Sequence, residues 1–558
     1  MEFLNFIKRE HADFNYYALA MVVVSGMLNG VIAVIVIHAA QHAAPHELNF
    51  RYLLMFAVAL AAFWLSKRYT LNYNTTQVEH VLERIRTRIA DKIRKTDLRA
   101  FEKVGRGRMY SVLNTETLTL SQYTPFIINA IGSFVMVIFA LMFIAYVSTT
   151  ALLLTVLTTA LCLLYFFARQ RVLHRKLHMA SEKQNEYFDA LGELLDGFKE
   201  LKINPSKSNC FYQERLLPLS NSMETLKIET GLAYNNLNVF TQSFTFILMA
   251  SIIFLIPMIS ASSTESIPKL AAIMLFVIGP LSEIVGVAPL IAKSNVAIVN
   301  IQRLETELDG LRSMESDQLT HFSDEDALAQ NQEAPFQEIR CDHLKFSYNE
   351  NGQPGPGQAK GFTVGPIDLT IKRGEIIFMI GGNGSGKSTF LKLLTALYQP
   401  DTGSILLDGS PLHANNMLQY RSLYSVIFSD FHLFKHLYGV DVKDRSKVKR
   451  LLELMKLSER CQIKDNEISD IKLSTGQKKR MALIVSLLED KQIYVFDEWA
   501  ADQDPDFRRY FYETILPEMK AQGKTIIAAT HDDHYFDIAD RVIKLDAGKI
   551  ITNPSLHI

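Results

Sequence analysis

Cysteine is scarce in this 558-residue chain: Cys162, Cys210, Cys341 and Cys461 stand far apart, with no C-x-x-C pair. A disulfide framework and a cysteine-based zinc site are both excluded. A basic excess is missing too. Lys and Arg number 58 against 59 Asp and Glu, leaving a net charge of −1. Nucleic acid is therefore not an expected partner, since its binding leaves a positive electrostatic footprint. What the chain has in quantity is apolar sequence, 48% of all residues, and it is unevenly distributed. Long apolar runs extend to about Ala297; beyond about Arg303 the composition is that of an ordinary soluble α/β domain.

Six apolar segments stand out in the first half, at approximately 17–37, 52–66, 126–147, 151–168, 239–259 and 270–292. Most reach the ~20 residues that a bilayer-spanning helix needs, and the second extends into its flanks. The first is too long for a signal-peptide core and lacks a small-residue cleavage site after it, so it reads as a retained span. Basic residues concentrate in two long connections, about 67–125 and 169–236, and at Lys8 and Arg9, while the other three connections hold almost none. By the positive-inside rule these basic segments and the C-terminal domain are cytoplasmic. Val81, Ile85, Ile89 and Ile93 recur every four residues in the first long connection, a helical pattern that carries the spans below the bilayer. Reversals are expected at Gly105-Arg106-Gly107 and Asn204-Pro205-Ser206, where the loops would rest on the second domain.

Two features of this half invite a ligand. Glu283 lies within the sixth span, among Gly279, Pro280, Gly286 and Pro289. An ionisable group at membrane depth faces a cavity or a partner, so Glu283 is a substrate-cavity candidate, with a structural hydrogen bond as the alternative. His38, His42 and His46 recur at four-residue spacing, but Pro45 breaks the helix that a metal site would need. They read as solvated interfacial histidines.

The second half is organised around Gly381-Gly382-Asn383-Gly384-Ser385-Gly386-Lys387-Ser388-Thr389, between an apolar strand (Ile376 to Ile380) and a helical run. This is G-x-x-x-x-G-K-[ST] in its required context. The glycines let backbone N–H groups converge on phosphate oxygens, Lys387 reaches the β- and γ-phosphates, and Ser388 is placed for Mg²⁺. Ile493 to Phe496 form a second apolar strand, ending in Asp497 and Glu498. Asp497 suits the Mg²⁺ shell and Glu498 the polarisation of an attacking water. A third such strand, Ile526 to Thr530, ends in His531, positioned for the γ-phosphate. Catalytic candidates are thus Glu498, His531 and Lys387, with ATP and Mg²⁺ as the implied substrate and metal.

Leu473-Ser474-Thr475-Gly476-Gln477, just upstream, completes a set that resembles the ATP-binding cassette (ABC) transporters. The resemblance makes Leu473 to Gln477 the signature motif, with Thr475 where the family usually has its first glycine. It makes Tyr348 the adenine-stacking residue, Ala500 to Asp504 the D-loop and His531 the switch histidine. Ser429 stands where the family has a glutamine that joins the Mg²⁺ site to the membrane domain, with Asp430 beside it as a second candidate for that role. Phe428 to Phe434, Gly361 to Ile367 and Phe496 to Pro505 narrow the likeness to the cyclic-peptide exporter group, which includes pyoverdine-precursor, syringomycin-type and microcin exporters.

The resemblance implies six transmembrane helices followed by an α/β P-loop NTPase cassette. The expected partition is 1–305 for the membrane domain, 306–335 for a polar, acidic linker and 336–558 for the cassette, with a mobile hairpin loop at 351–361. It further implies a homodimer in the bacterial inner membrane, each cassette completing the other's ATP site, exporting a peptide or siderophore precursor. A multidrug or lipid exporter and a non-transporting membrane ATPase are the competing readings.

Overall fold

The computed structural model describes residues 6, 9–10, 16–42, 48–259, 267–310, 335–348, 361–440, 444–464 and 466–551. His46, most of the linker and nearly all of the hairpin loop at 351–361 lie outside them. The helices used below are α1 (Tyr16–Gln41), α2 (Phe50–Arg94), α3 (Leu98–Val104), α4 (Thr117–Val147), α5 (Thr149–Asp196), α6 (Leu217–Ile259), α7 (Ile267–Gly286), α8 (Ala288–Gly310), α9 (Lys387–Leu394) and α10 (Thr475–Glu489). The chain forms two compact units, one of residues 1–91 with 105–307, the other of residues 92–104 with 308–558.

In the first unit α4 packs against α1 and α7, and α6 against α5 and α7. Small residues permit the closest crossing. A Cβ on Gly26 of α1 would stand 2.5 Å from the Gly132 carbonyl of α4, so only glycine lets these backbones approach. Ala33, Ile37, Ala140, Ile144, Leu248, Ile252 and Leu270 bury a small core beside this contact. At the charged ends of the helices Arg88 binds two carboxylates, Glu10 at 2.8 Å and Glu305 at 2.7 Å, tying α2, α8 and the N-terminal segment together.

The six-span count is met only in part. Among the described residues five helices are long and apolar enough to cross a membrane, and the first part of α5, Thr149–Leu161, is a further apolar stretch that overlaps the expected fourth span. Several side chains farther along that span fall outside the description. The first connection is interrupted twice: α2 ends at Arg94 before α3 at 98–104, and the expected break follows at Gly105 (φ 82°), after which a helix starts at Arg106. The second is capped by Asn204, whose side chain accepts from the Lys207 N–H at 3.0 Å, and it leaves Ile203 84% exposed. His38 packs edge-on against Phe143, and His42 contacts the His38 carbonyl and the Tyr52 ring.

The second unit has two large sheets, besides a two-stranded ribbon of Ile463–Lys464 with Glu467–Ile468. Strands β1 (Glu338–Ser347), β2 (Thr363–Lys372), β4 (Thr402–Leu407) and β5 (Ser410–Pro411) form an antiparallel sheet in the order β2-β1-β4-β5. The larger sheet contains β3 (Ile376–Ile380), β6 (Tyr424–Ile427), β7 (Ile493–Asp497), β8 (Thr525–Ala529), β9 (Arg541–Asp546) and β10 (Lys549–Ile551), ordered β10-β9-β3-β8-β7-β6. All of its pairings are parallel except β9 with β10. Residues along β7 and β8 are buried throughout, which their uninterrupted apolar sequence requires: both faces of the sheet carry a hydrophobic core.

Candidate active site

Register decides what meets at the sheet's edge. Ala529 of β8 pairs with Met379 of β3 on one side and with Asp497 of β7 on the other. The loops leaving these three neighbouring strands therefore emerge side by side at their C-terminal ends, where α/β sheets bind ligands. Gly381 opens the first loop at φ +150°. A Cβ there would stand 2.2 Å from the Leu545 carbonyl, so neither the conformation nor the space admits another residue.

Lys387, 5% exposed, folds back over this loop. Its Nζ donates to the Gly381 carbonyl at 2.8 Å and the Gly382 carbonyl at 3.3 Å, and lies 3.1 Å from His531 Nε2. Glu498 Oε1 stands 3.2 Å from the same imidazole nitrogen and 3.6 Å from Lys387 Nζ. All three catalytic candidates are thus in mutual contact. The Glu498 backbone is left-handed (φ 51°), an uncommon state for a non-glycine residue. Two bonds hold it there: its N–H donates to the Ala529 carbonyl at 3.0 Å, and its carbonyl accepts from Lys479 Nζ at 2.8 Å. No motif or spacing singles out Lys479, which is buried and also pairs with Asp502 at 2.7 Å.

Asp497 tests whether the site suits a divalent cation. Its carboxylate is buried at 1% exposure, and neither oxygen has a hydrogen-bond partner of ordinary geometry. Burial pushes its pKa above the usual carboxylate range, against the pull of the Ser388 hydroxyl and of the Ser429 main chain and side chain, while Glu498 adds to the rise. A buried carboxylate with no cation beside it is an unfavourable arrangement unless a charge is supplied there. Ser388, Asp497 and Ser429 therefore form a donor set of the hard-oxygen kind that Mg²⁺ takes. Ser385, also of the phosphate loop, is buried with its hydroxyl unpartnered. Asn383 and Gly384 are exposed at the loop's tip, and Gly386 is buried at the start of α9.

Tyr348 is 46% exposed, and its hydroxyl lies 3.0 Å from the Thr389 hydroxyl of α9. Its ring meets Phe346 edge-on at 5.2 Å and Tyr398 at 6.2 Å. Behind this cluster sits α3, which the sequence did not assign to this unit. Glu102 of α3 accepts from the Tyr398 hydroxyl at 2.6 Å and pairs with Lys392 at 3.1 Å. Arg99 donates to the Ser347 carbonyl at 3.0 Å and lies over the Phe346 ring at 5.0 Å. Spacing along the chain carries no trace of these contacts, because hydrogen-bonded partners such as Arg99 with Ser347 and Glu102 with Tyr398 are 248 and 296 residues apart.

Ser474 caps α10 in a capping box: the Gln477 N–H donates to its hydroxyl at 3.3 Å, and its own N–H to Gln477 Oε1 at 3.1 Å. Ser474 and Thr475 are exposed. Asp504 does not meet the phosphate loop of its own chain. It caps the following helix through the Phe507 N–H at 2.9 Å and pairs with Arg480 of α10, so its pKa is lowered, first by the Phe507 N–H. Gln503 bridges the same elements, accepting from Arg480 at 2.8 Å and donating to the Gly476 carbonyl at 3.1 Å. In the first unit, Glu283 of α7 is exposed and accepts a hydrogen bond from Ser133 of α4.

Residues 17–281 match the family model of the ABC transporter transmembrane region, and 364–501 that of the ABC transporter. The chain is 31% identical over 545 residues to ATP-binding protein SyrD of Pseudomonas syringae pv. syringae, covering 95% of this chain and 93% of that protein. It is 22% identical over 526 residues to an ATP-dependent lipid A-core flippase of Burkholderia orbicola, covering 90% and 83%. The solved structure of a bacterial Atm1-family ABC exporter with ATP bound superimposes with a TM-score of 0.74 at 16% identity, covering 98% of this chain and 96% of that one.

Proposed function

The chain belongs to the ABC transporters, as a half-transporter of the exporter type with one membrane region and one cassette, and we propose that two copies export a peptide or siderophore precursor. It is a multi-span protein of the bacterial inner membrane with a cytoplasmic cassette, and it couples ATP hydrolysis to transport. One observation carries the reading of the site: the lysine of the phosphate loop, the glutamate after β7 and the histidine after β8 meet within 3.6 Å.

In this reading the amides from Gly381 to Thr389 and the Lys387 ammonium hold the phosphates. Lys387 exchanges its carbonyl partners for phosphate oxygens, and Glu498 is freed to accept a proton from the attacking water. His531, already between the two, orients that water or the γ-phosphate. Mg²⁺, held by Ser388 and Asp497, supplies positive charge to the phosphate oxygens. Tyr348 offers its exposed ring to adenine. Ser474 and Thr475 are exposed and Gly476 and Gln477 half-exposed, which supports their use by a second copy. Closure then requires ATP to favour the closed pair by several kcal/mol. The docking of α3 on the Tyr348 and Tyr398 cluster gives closure a route toward the membrane helices that does not need the missing glutamine.

The motifs shared with cyclic-peptide exporters favour peptide cargo. The lipid alternative has the flippase in its support, at lower identity. Purified protein in proteoliposomes decides between them. Peptide accumulation that depends on ATP supports the proposal; movement of a labelled lipid with no effect of peptide overturns it.

A further inference from the structure

A ladder of polar contacts joins α4 and the segment before it to α7 and α8. Ser133 meets Glu283, Tyr123 lies under the Lys293 ammonium at 5.5 Å, Glu116 accepts from Asn300 at 2.7 Å and Arg108 pairs with Glu307 at 2.8 Å. Residue numbers rise along one element as they fall along the other, the mark of two antiparallel helices in fixed register. Each inner rung is complete: a cation over a ring, an amide on a carboxylate, an ion pair. The outermost is not. Glu283 has a hydroxyl donor on one oxygen and, among the described residues, no cationic partner. Lys67 of α2 is occupied by Asn129 Oδ1, one turn inward from Ser133 on α4, at 3.0 Å.

Depth makes the asymmetry informative. Ser133 lies about 10 Å along the helix from Phe126, where the apolar run begins, and Glu283 about 24 Å from Ile267 at the other end of α7. The cost of a charge in lipid favours the bundle interior or a water-filled cavity for a carboxylate at that depth. The space around it is open as well. Gly279, Glu283 and Gly286 fall on one helical stripe. A Cβ on Gly279 would meet nothing within 4 Å, and one on Gly286 only the Tyr234 hydroxyl at 3.7 Å. The carboxylate, bonded to the Ser133 hydroxyl, thus stands on a stripe of α7 whose two glycines leave the adjoining side-chain positions empty, with the Tyr234 hydroxyl near one of them.

We propose that Glu283, oriented by Ser133, is a cation subsite of the transport cavity that takes an ammonium or guanidinium group of the cargo. The proposal rests on the exporter reading above and adds the charge of the group recognised. The apolar walls supply the rest of the contact, and the unpaired charge discriminates against anionic or neutral analogues. A purely structural role for Glu283 needs only the hydrogen bond with Ser133, which glutamine retains.

The test replaces Cys162 and Cys210 with alanine and introduces Gly279→Cys, or in a parallel protein Gly286→Cys, into full-length chain in nanodiscs. Modification rates are measured with a trimethylammonium-ethyl methanethiosulfonate and with its anionic sulfonatoethyl counterpart. With Glu283 present, the cation-to-anion rate ratio is expected to be about tenfold higher than with Glu283→Gln, and Glu283→Asp should recover much of it. A ratio indifferent to Glu283→Gln, or both positions refractory to both reagents in every nucleotide state, overturns the subsite. A second arm measures ATPase stimulation by an ornithine-bearing cyclic peptide and its N-acetylated form. Stimulation by both forms with a flat reagent ratio leaves peptide transport standing and removes the subsite. A Glu283-dependent ratio with stimulation by neither peptide retains the subsite and removes the peptide reading.

Discussion

The Tyr398 hydroxyl donates to Glu102 at 2.6 Å, fastening a short helix contributed by residues 98–104 to the aromatic cluster that ends in Tyr348. Tyr398 is itself buried at 1% exposure, and burial with the Glu102 contact pushes its phenol pKa up, so it stays a neutral donor at any physiological pH. The nucleotide site and the link to the spans therefore share one set of rings. Tyr398→Phe combined with Glu102→Gln should leave ATP turnover within about twofold of wild type. Cargo moved per ATP should fall about fivefold or more, the size of an ordinary coupling energy. Parallel transport and phosphate-release assays in proteoliposomes check this; an unchanged ratio contradicts the coupling role.

Tyr348 carries two separable contributions. Its ring is free to stack, and its hydroxyl meets Thr389. Tyr348→Ala should raise the KM for ATP about three- to tenfold, the range expected of one aromatic contact. Tyr348→Phe should stay near wild type. Equal losses in both variants would place the importance in the hydroxyl instead.

Asp497 links stability to the metal. Its folded pKa is raised by burial, so between the ordinary carboxylate value and the raised one the native state binds more protons than the unfolded chain. Stability in the absence of metal must then fall as pH rises through that window and stay reduced above it. Asp497→Asn removes the unpaired charge. It should stabilise the metal-free protein by about 1–3 kcal/mol while abolishing the added stability that Mg²⁺ and ATP confer on wild type. Thermal unfolding with EDTA and with Mg-ATP, for both proteins, reads the two effects of opposite sign.

Glu498 faces a sharper demand. Glu498→Gln keeps the shape of the side chain and the backbone bonds to Ala529 and Lys479, so ATP binding should persist. Steady-state hydrolysis should drop about 100-fold or more, the usual contribution of a positioned general base. Vigorous turnover in the purified variant removes Glu498 from the role.

These residues differ in how visibly the sequence announced them. Gly381 to Thr389, Asp497, Glu498 and His531 were legible because each ends an apolar strand, and parallel strands with buried faces must place such ends together. Ser133, Tyr398 and Arg480 were not, although Glu283, Tyr348 and Asp504 were candidates from the start. Periodicity shows which face a residue occupies but not which element stands opposite. For the same reason Gly105 drew attention as the turn, while the docking helix before it passed as more of the loop. The fourth span is legible from composition alone, and α5 runs unbroken through it from Thr149 to Asp196.

Whether each hydrolytic pocket draws on two copies is open to direct complementation. Chains carrying Glu498→Gln and chains carrying Ser474→Arg, each inactive as a homodimer, are co-expressed with different affinity tags and the mixed dimer is purified through both. If the signature residues of one copy complete the phosphate loop of the other, the mixed dimer holds one doubly damaged pocket and one intact pocket, and ATP turnover returns. A mixed dimer as inactive as its two parents contradicts a shared pocket.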